Sequence, residues 1–198
     1  VAILFCGSSS ASLARDYNET NCGEGFDLAD LALTGAQGKL IKAIHATGKP
    51  VILVLVTGKP FSIAWEKKHI PAILIQWYAG EQEGSSIANI LFGKTNPSGH
   101  LTVSFPQSSG HLPAYYNYLP TDRGFYHKPG SYEQPGRDYV FSSPGPLWAF
   151  GHGLTYTTFN YTDMQIQQSV DSIKVFVTVK NTGRWAGKAV PQLYVRDV

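Results

Sequence analysis

Charge is what this sequence has least of. Only 15% of its 198 residues are Asp, Glu, Lys or Arg, against roughly 25% in an average globular chain. Sixteen basic and fourteen acidic residues leave a formal charge of +2 without any Lys/Arg cluster. That excludes the electrostatic footprint of a nucleic-acid-binding surface. Cysteine is nearly missing: Cys6 and Cys22 are the only two, too few for a disulfide framework, so they leave the redox compartment open. Long hydrophobic runs are missing as well. Val51–Val56 is one of the longest, about a third of the ~20 residues a membrane helix needs. The six His residues are scattered without metal-ligand spacing, so neither metal nor cofactor is expected. What is abundant is Gly, with 20 residues, and aromatic side chains, at 13%, in a chain that is 43% hydrophobic. Such a composition folds around a core rather than staying disordered.

The first hundred residues alternate apolar runs with amphipathic stretches. Val1–Cys6, Val51–Val56, Ala72–Gln76 and Leu101–Phe105 read as strands. Gln37–Thr47 and Ser85–Phe92 carry one-sided apolar spacing and stop at Gly48 and Gly93, as helices do. Strands apolar on both faces and separated by helices predict a mostly parallel sheet covered on both sides, an α/β sandwich of flavodoxin-like type. Residues 106–153 are rich in Pro, Gly and Tyr and show no helical period. A segment that long in a compact protein is usually functional or wraps another surface. From about Phe159 the pattern changes again: Ile173, Val175, Val177 and Val179 alternate up to the Asn181-Thr182-Gly183 turn, and Val190–Arg196 alternates after it. This predicts antiparallel β-structure of the immunoglobulin or fibronectin III kind. The domain expectation is therefore 1–105 for the α/β core, 106–158 for the segment completing it, and 159–198 for a partial β-sandwich. With an opening on Val-Ala-Ile-Leu-Phe and a sandwich holding too few strands, the chain reads as a fragment.

In parallel sheets the loops leaving the carboxyl ends of the strands form the ligand crevice. Here those loops are Gly7–Asp30, Thr57–Pro60 and Trp77–Glu83. They gather Glu19, Glu24, Asp27, Trp77, Tyr78, Glu81 and Glu83 along one edge, among small residues that let a ligand approach. Carboxylates beside Trp and Tyr suit a sugar, whose apolar face stacks while its hydroxyls bond acids; spacing alone stops at a site for a polar small molecule. Each residue also has a plainer reading. Asp27 fits a turn or helix cap, Trp77 fits packing at a strand end, and Glu81 and Glu83 fit the opening of a helix, where negative charge is favoured. Gly93-Lys94-Thr95 lacks the upstream Gly of a phosphate-binding loop, and Gly84-Ser85-Ser86 lacks the following Gly of a nucleophile elbow.

Several motifs, taken in order, carry a resemblance. Gly23-Glu24-Gly25-Phe26-Asp27 with Leu31-Ala32-Leu33-Thr34-Gly35-Ala36-Gln37 comes first, then Trp77-Tyr78-Ala79-Gly80-Glu81-Gln82-Glu83-Gly84. Asn96-Pro97-Ser98-Gly99-His100-Leu101, Phe105-Pro106, Phe150-Gly151-His152-Gly153 and Val179-Lys180-Asn181-Thr182-Gly183 follow. Over essentially its whole length the chain resembles the C-terminal portion of glycoside hydrolase family 3, nearest the bacterial periplasmic β-glucosidase type. The resemblance implies a (β/α)8 barrel upstream that supplies an Asp nucleophile, this α/β sandwich domain, and a fibronectin III-like domain. It implies retaining, exo-acting hydrolysis of a β-glucoside or β-xyloside, in a periplasmic or secreted parent. Glu24 matches the family's general acid/base, and Trp77, Tyr78 and Asp27 are the expected sugar contacts. The isolated chain, without its barrel, is expected to be inactive. Two positions depart from the pattern: Leu28 stands where an Arg usually follows the Asp, and Thr34 replaces the Pro before Gly35. Two readings from other classes stand beside this one. A non-catalytic carbohydrate-binding or interaction module fits the aromatic content, and a flavodoxin-like nucleotide binder fits the sheet but lacks any phosphate-cradling Gly motif.

Overall fold

A computed structural model describes residues 1–10, 21–25, 27–112, 114–117, 133, 142–143 and 145–195. Much of the segment expected between 106 and 158 lies outside them, as does Glu19. The chain divides into two compact units, one of Val1–Glu83 with Thr102–Phe150, the other of Gly84–Leu101 with Gly151–Val198.

The first unit is built on a parallel sheet of β1 (Ala2–Gly7), β2 (Val51–Val56) and β3 (Ala72–Ile75), in the order β1-β2-β3. Helix α1 (Gln37–His45) connects the first two strands and α2 (Ala64–His69) the last two. The α/β architecture expected from the alternating pattern is the one observed. β2 is central, and its continuous apolar run follows from that position: Leu53, Val54 and Leu55 are fully buried. Burying each such side chain stabilises the fold by about 1.5–3 kcal/mol. Ile41 of α1 packs over the sheet, and Phe61, Ile63 and Phe105 close the same core. Among the described residues β1 is an edge strand, and its Ile3 and Phe5 remain 41% and 58% exposed.

Two details differ from the pattern-based reading. The helix α2 has no long period to announce it, because it is confined between Pro60 and Pro71. Ile70 is already extended, at φ −97° and ψ 119°, as a residue before proline prefers. Leu101–Phe105 forms no strand of the sheet. Phe105 makes an isolated antiparallel bridge with Trp148, its N–H donating to the Trp148 carbonyl at 2.8 Å and its carbonyl accepting from Leu147 at 2.7 Å. The apolar run reported burial at Phe105, and Pro106 denies the ladder its next donor.

The second unit holds α3 (Glu83–Leu91, from its second residue) and an antiparallel pair, β4 (Phe159–Gln168) and β5 (Ile173–Asn181). A bulge between Thr162 and Gln165 interrupts the pairing, and Asp163 there takes a left-handed φ of 56°. Val190–Arg196, expected as a strand, is irregular over its described residues 190–195. Its residues serve another purpose: Gln192 Nε2 donates to the Gly151 carbonyl at 3.2 Å, and the Tyr194 hydroxyl donates to Gln192 Oε1 at 2.5 Å.

Candidate active site

The sheet register carries the site. Gly7 pairs with Val56, and Leu55 with Ile75, so the three strands end at one edge and release their loops side by side. Ser8 N–H continues the first ladder to the Val56 carbonyl at 3.0 Å, and Gln76 N–H continues the second to Leu55 at 2.9 Å. The close approach needs glycine at position 7, where a Cβ would lie 1.7 Å from the Val56 carbonyl oxygen. The first residue of α1 then grips that glycine from both sides. Gln37 Oε1 accepts from the Gly7 N–H at 2.6 Å, and Gln37 Nε2 donates to the Gly7 carbonyl at 2.9 Å.

Glu24 stands on the first of these loops. Gly23 and Gly25 flank it with φ of 85° and 76°, a left-handed pair that turns the backbone sharply on both sides of the carboxylate. The loop is pinned back to the strand end: Asn21 and Cys22 N–H both donate to the Ser9 carbonyl, at 3.3 and 3.1 Å, and Asn21 Oδ1 accepts from Ser9 N–H at 2.8 Å. The buried Ser10 donates its hydroxyl to Glu24 Oε2. Glu24 N–H points to Cys22 Sγ at 3.4 Å. The carboxyl is thus directed by a hydroxyl from β1's exit while its residue stays exposed.

Tyr78, from the third loop, reaches across the end of β2. Its hydroxyl donates to the Ser8 carbonyl at 2.7 Å and lies 3.3 Å from Ser8 Oγ, which is 3.0 Å from Thr57 Oγ1. Burial pushes the Tyr78 phenol above its ordinary value, so it remains a hydrogen-bond donor at neutral pH. Trp77 sits half-buried with a left-handed φ of 58°, a strained conformation for a bulky residue. Its ring centroid lies 6.1 Å from that of Phe105. Asp27 is exposed on the Glu24 loop. Glu83 begins α3 and Glu81 precedes it in the open, where their charge suits the helix terminus. Glu24 and Tyr78 therefore converge on the Ser8–Ser10 strand exit, whereas Trp77 turns toward the core.

Sequence reading missed Ser8, Ser10, Asp30 and Lys59. The Asp30 carboxyl accepts from Ala32 N–H at 2.9 Å and from the Ser109 hydroxyl at 3.1 Å, which hold it below the ordinary carboxylate value. Lys59, directly after Gly58, is 6% exposed, and burial pulls its ammonium below the usual lysine value. A lysine between an all-apolar strand and a Pro-Phe pair was the available signal for it. A separate cavity of about 490 Å³ is lined by Leu31, Pro60, Ser104, Pro106, Tyr115 and Phe150 among others, and includes none of the predicted site residues. Among the described residues, no group of three or more His, Cys, Asp and Glu is placed to hold a metal ion, and no helix is long and apolar enough to cross a membrane.

A carboxyl projecting from a Gly-flanked loop at the carboxyl edge of a parallel sheet defines a candidate acid/base site. Comparison with known proteins gives that site its family. Residues 1–156 match the glycosyl hydrolase family 3 C-terminal domain, and the chain belongs to this family. A β-xylosidase of Formosa agariphila is 41% identical over 96% of this chain, and the periplasmic β-glucosidase of Salmonella typhimurium 40% over 88%. A β-glucosidase from Listeria innocua, solved in complex with glucose, superposes with a TM-score of 0.77 at 31% identity, over 93% of this chain. The matches cover 26% and 23% of the two curated relatives and 25% of the solved one. The chain spans about a quarter of the length of these proteins.

Proposed function

We propose that the chain is the acid/base-bearing part of a longer retaining, exo-acting β-glycosidase, most simply a β-glucosidase, and that Glu24 is its general acid/base. One observation carries the reading: Glu24 is presented by a Gly-flanked turn at the carboxyl edge of the sheet, in a domain whose relatives are β-glucosidases and β-xylosidases. The role requires a carboxyl that protonates the departing glycosidic oxygen and later deprotonates water. Retention requires a second carboxyl about 5–5.5 Å away as nucleophile, and in this proposal an Asp from a (β/α)8 barrel of the same polypeptide supplies it. The 198-residue chain alone is then inactive. Tyr78 and Asp27 are its sugar contacts at the loop edge, and Trp77, packed toward Phe105, backs them. The antiparallel pair belongs to a fibronectin III-like domain, and the parent protein is periplasmic or secreted.

Leaving-group dependence tests the assignment. In the full-length protein, Glu24→Ala is expected to lose about 10²–10⁴-fold in kcat/KM, which reports the glycosylation step, on alkyl glucosides, which need protonation. It should lose far less on 2,4-dinitrophenyl glucoside, which departs unaided. Equal losses on both substrates would overturn the role.

A further inference from the structure

Each residue of the strand exit Ser8-Ser9-Ser10 meets a different part of the candidate site. The Ser8 carbonyl takes the Tyr78 hydroxyl, and the Ser10 hydroxyl donates to Glu24 Oε2. Between them, Ser9 is answered by Asn21, twelve residues further along the chain. Asn21 Oδ1 accepts the Ser9 N–H at 2.8 Å, and the Asn21 N–H donates to the Ser9 carbonyl at 3.3 Å. One residue thus engages both backbone groups of another, as paired residues do across an antiparallel ladder, with a side-chain amide standing in for one peptide. The Cys22 N–H joins on the same carbonyl at 3.1 Å. Asn21 and Ser9 are half-buried and Ser10 is buried, a setting in which backbone groups need partners.

We infer that Asn21 is a positioning residue for Glu24: by clasping Ser9 it holds the base of the Glu24 turn against the end of β1, and so keeps the Ser10 hydroxyl and the Glu24 carboxyl together. The clasp acts on both partners of that contact, since Ser10 follows Ser9 directly and Glu24 comes three residues after Asn21. The exit it grips is itself held, through the Ser8 N–H on Val56 and the Gln37 amide on Gly7. On the loop side, the Glu24 N–H reaches Cys22 Sγ at 3.4 Å, which passes the position of residues 21 and 22 on to Glu24. Gly23 and Gly25 supply the left-handed turn but no side chain to anchor it, so the anchor has to come from Asn21. Displacing a catalytic carboxyl by even about 1 Å costs on the order of 10²-fold in rate. The inference rests on Glu24 as the acid/base.

The test uses the full-length protein with Asn21→Ala, Asn21→Asp and, as reference, Glu24→Ala. It compares kcat/KM on methyl β-glucoside and 2,4-dinitrophenyl β-glucoside, each variant at its own pH optimum. Asn21→Ala removes the acceptor and is expected to lower kcat/KM on the methyl glycoside by on the order of 10²-fold, with the dinitrophenyl value little changed. Asn21→Asp keeps an oxygen for the Ser9 N–H and should stay close to the unsubstituted protein on both. A merely structural asparagine would lower both values equally, through the fraction of folded enzyme. That result, or no loss on either substrate, would overturn the inference. So would an Asn21→Asp protein as selectively impaired as Asn21→Ala, since the acceptor would then not be what matters. Asn21→Ser, whose hydroxyl stops a bond short of Ser9, decides by the same criterion if Asn21→Ala does not fold. Selective loss in Glu24→Ala but not in Asn21→Ala defeats the positioning role alone. Absence of selectivity in Glu24→Ala defeats the acid/base assignment and the positioning role together.

Discussion

The Tyr78 hydroxyl donates to the Ser8 carbonyl at 2.7 Å, joining the exits of β3 and β1 over the end of β2. Gly58 makes the span possible, since a Cβ there would lie 2.8 Å from Tyr78 Cε2. Gly58→Ala is therefore expected to destabilise the fold by about 1–3 kcal/mol through overpacking. In a Tyr78→Ala background the same substitution should cost almost nothing, because the two residues interact directly. Denaturant midpoints of the four proteins measure the coupling; additive losses would show that the glycine answers to something other than the ring.

Stability should depend on acid through Asp30. Its carboxyl sits below the ordinary 3.8 because Ala32 N–H and then the Ser109 hydroxyl bond the ionised form. A depressed carboxyl contributes stability that is complete above its unfolded value and is lost as pH falls through its folded value. Asp30→Asn should consequently lower the thermal midpoint near neutrality, and the difference from the unsubstituted protein should close on acidification to about pH 2–3. A difference that stays constant with pH would assign the effect to packing.

The two thiols should behave differently. Cys6 is buried, and that burial, followed by the charge of Glu66, pushes its thiol above the ordinary 9.0. Cys22 is free and half-buried on the Glu24 loop. Iodoacetamide at neutral pH is expected to label Cys22 and spare Cys6 until the protein is denatured, as thiolate availability and access dictate. Peptide mapping reads the outcome, and early labelling of Cys6 would show that β1 opens readily.

Much of the fold was legible because its strongest signals are physical necessities. The unbroken Val51–Val56 run can only be a strand buried on both faces, and parallel order then sends all three loops to one edge. Spacing alone gathers Glu24 with other acids and aromatics at the loop edge; only the family resemblance of its Gly23-Glu24-Gly25 motif singles it out as the acid/base candidate. Other parts depended on tertiary context. α2 is too short for a period, and Leu101–Phe105 looks like a strand because Phe105 needs burial, which a single bridge to Trp148 satisfies equally well. Lys59 was invisible because composition places lysine outside; only the folded chain shows its ammonium enclosed. Trp77 read equally as sugar platform or packing residue, and its left-handed backbone beside Phe105 is a three-dimensional fact with no sequence counterpart.

The edge strand yields a prediction about the chain expressed alone. Among the described residues nothing pairs with the outer edge of β1, where Ile3 and Phe5 leave apolar surface, the arrangement that promotes association. The isolated chain is expected to bind hydrophobic dye, to self-associate in light scattering and to leave dinitrophenyl glucoside intact. A dye-silent monomer would contradict the proposal that this surface belongs inside a longer protein.

The central claim is that Glu24 is the acid/base, and azide rescue addresses it most directly. In Glu24→Ala of the full-length protein, azide fits the space vacated by the carboxyl and attacks the glycosyl-enzyme without base assistance. Turnover of 2,4-dinitrophenyl β-glucoside should rise with azide concentration and yield the β-glycosyl azide. Turnover indifferent to azide, with glucose as the sole product, would contradict the assignment.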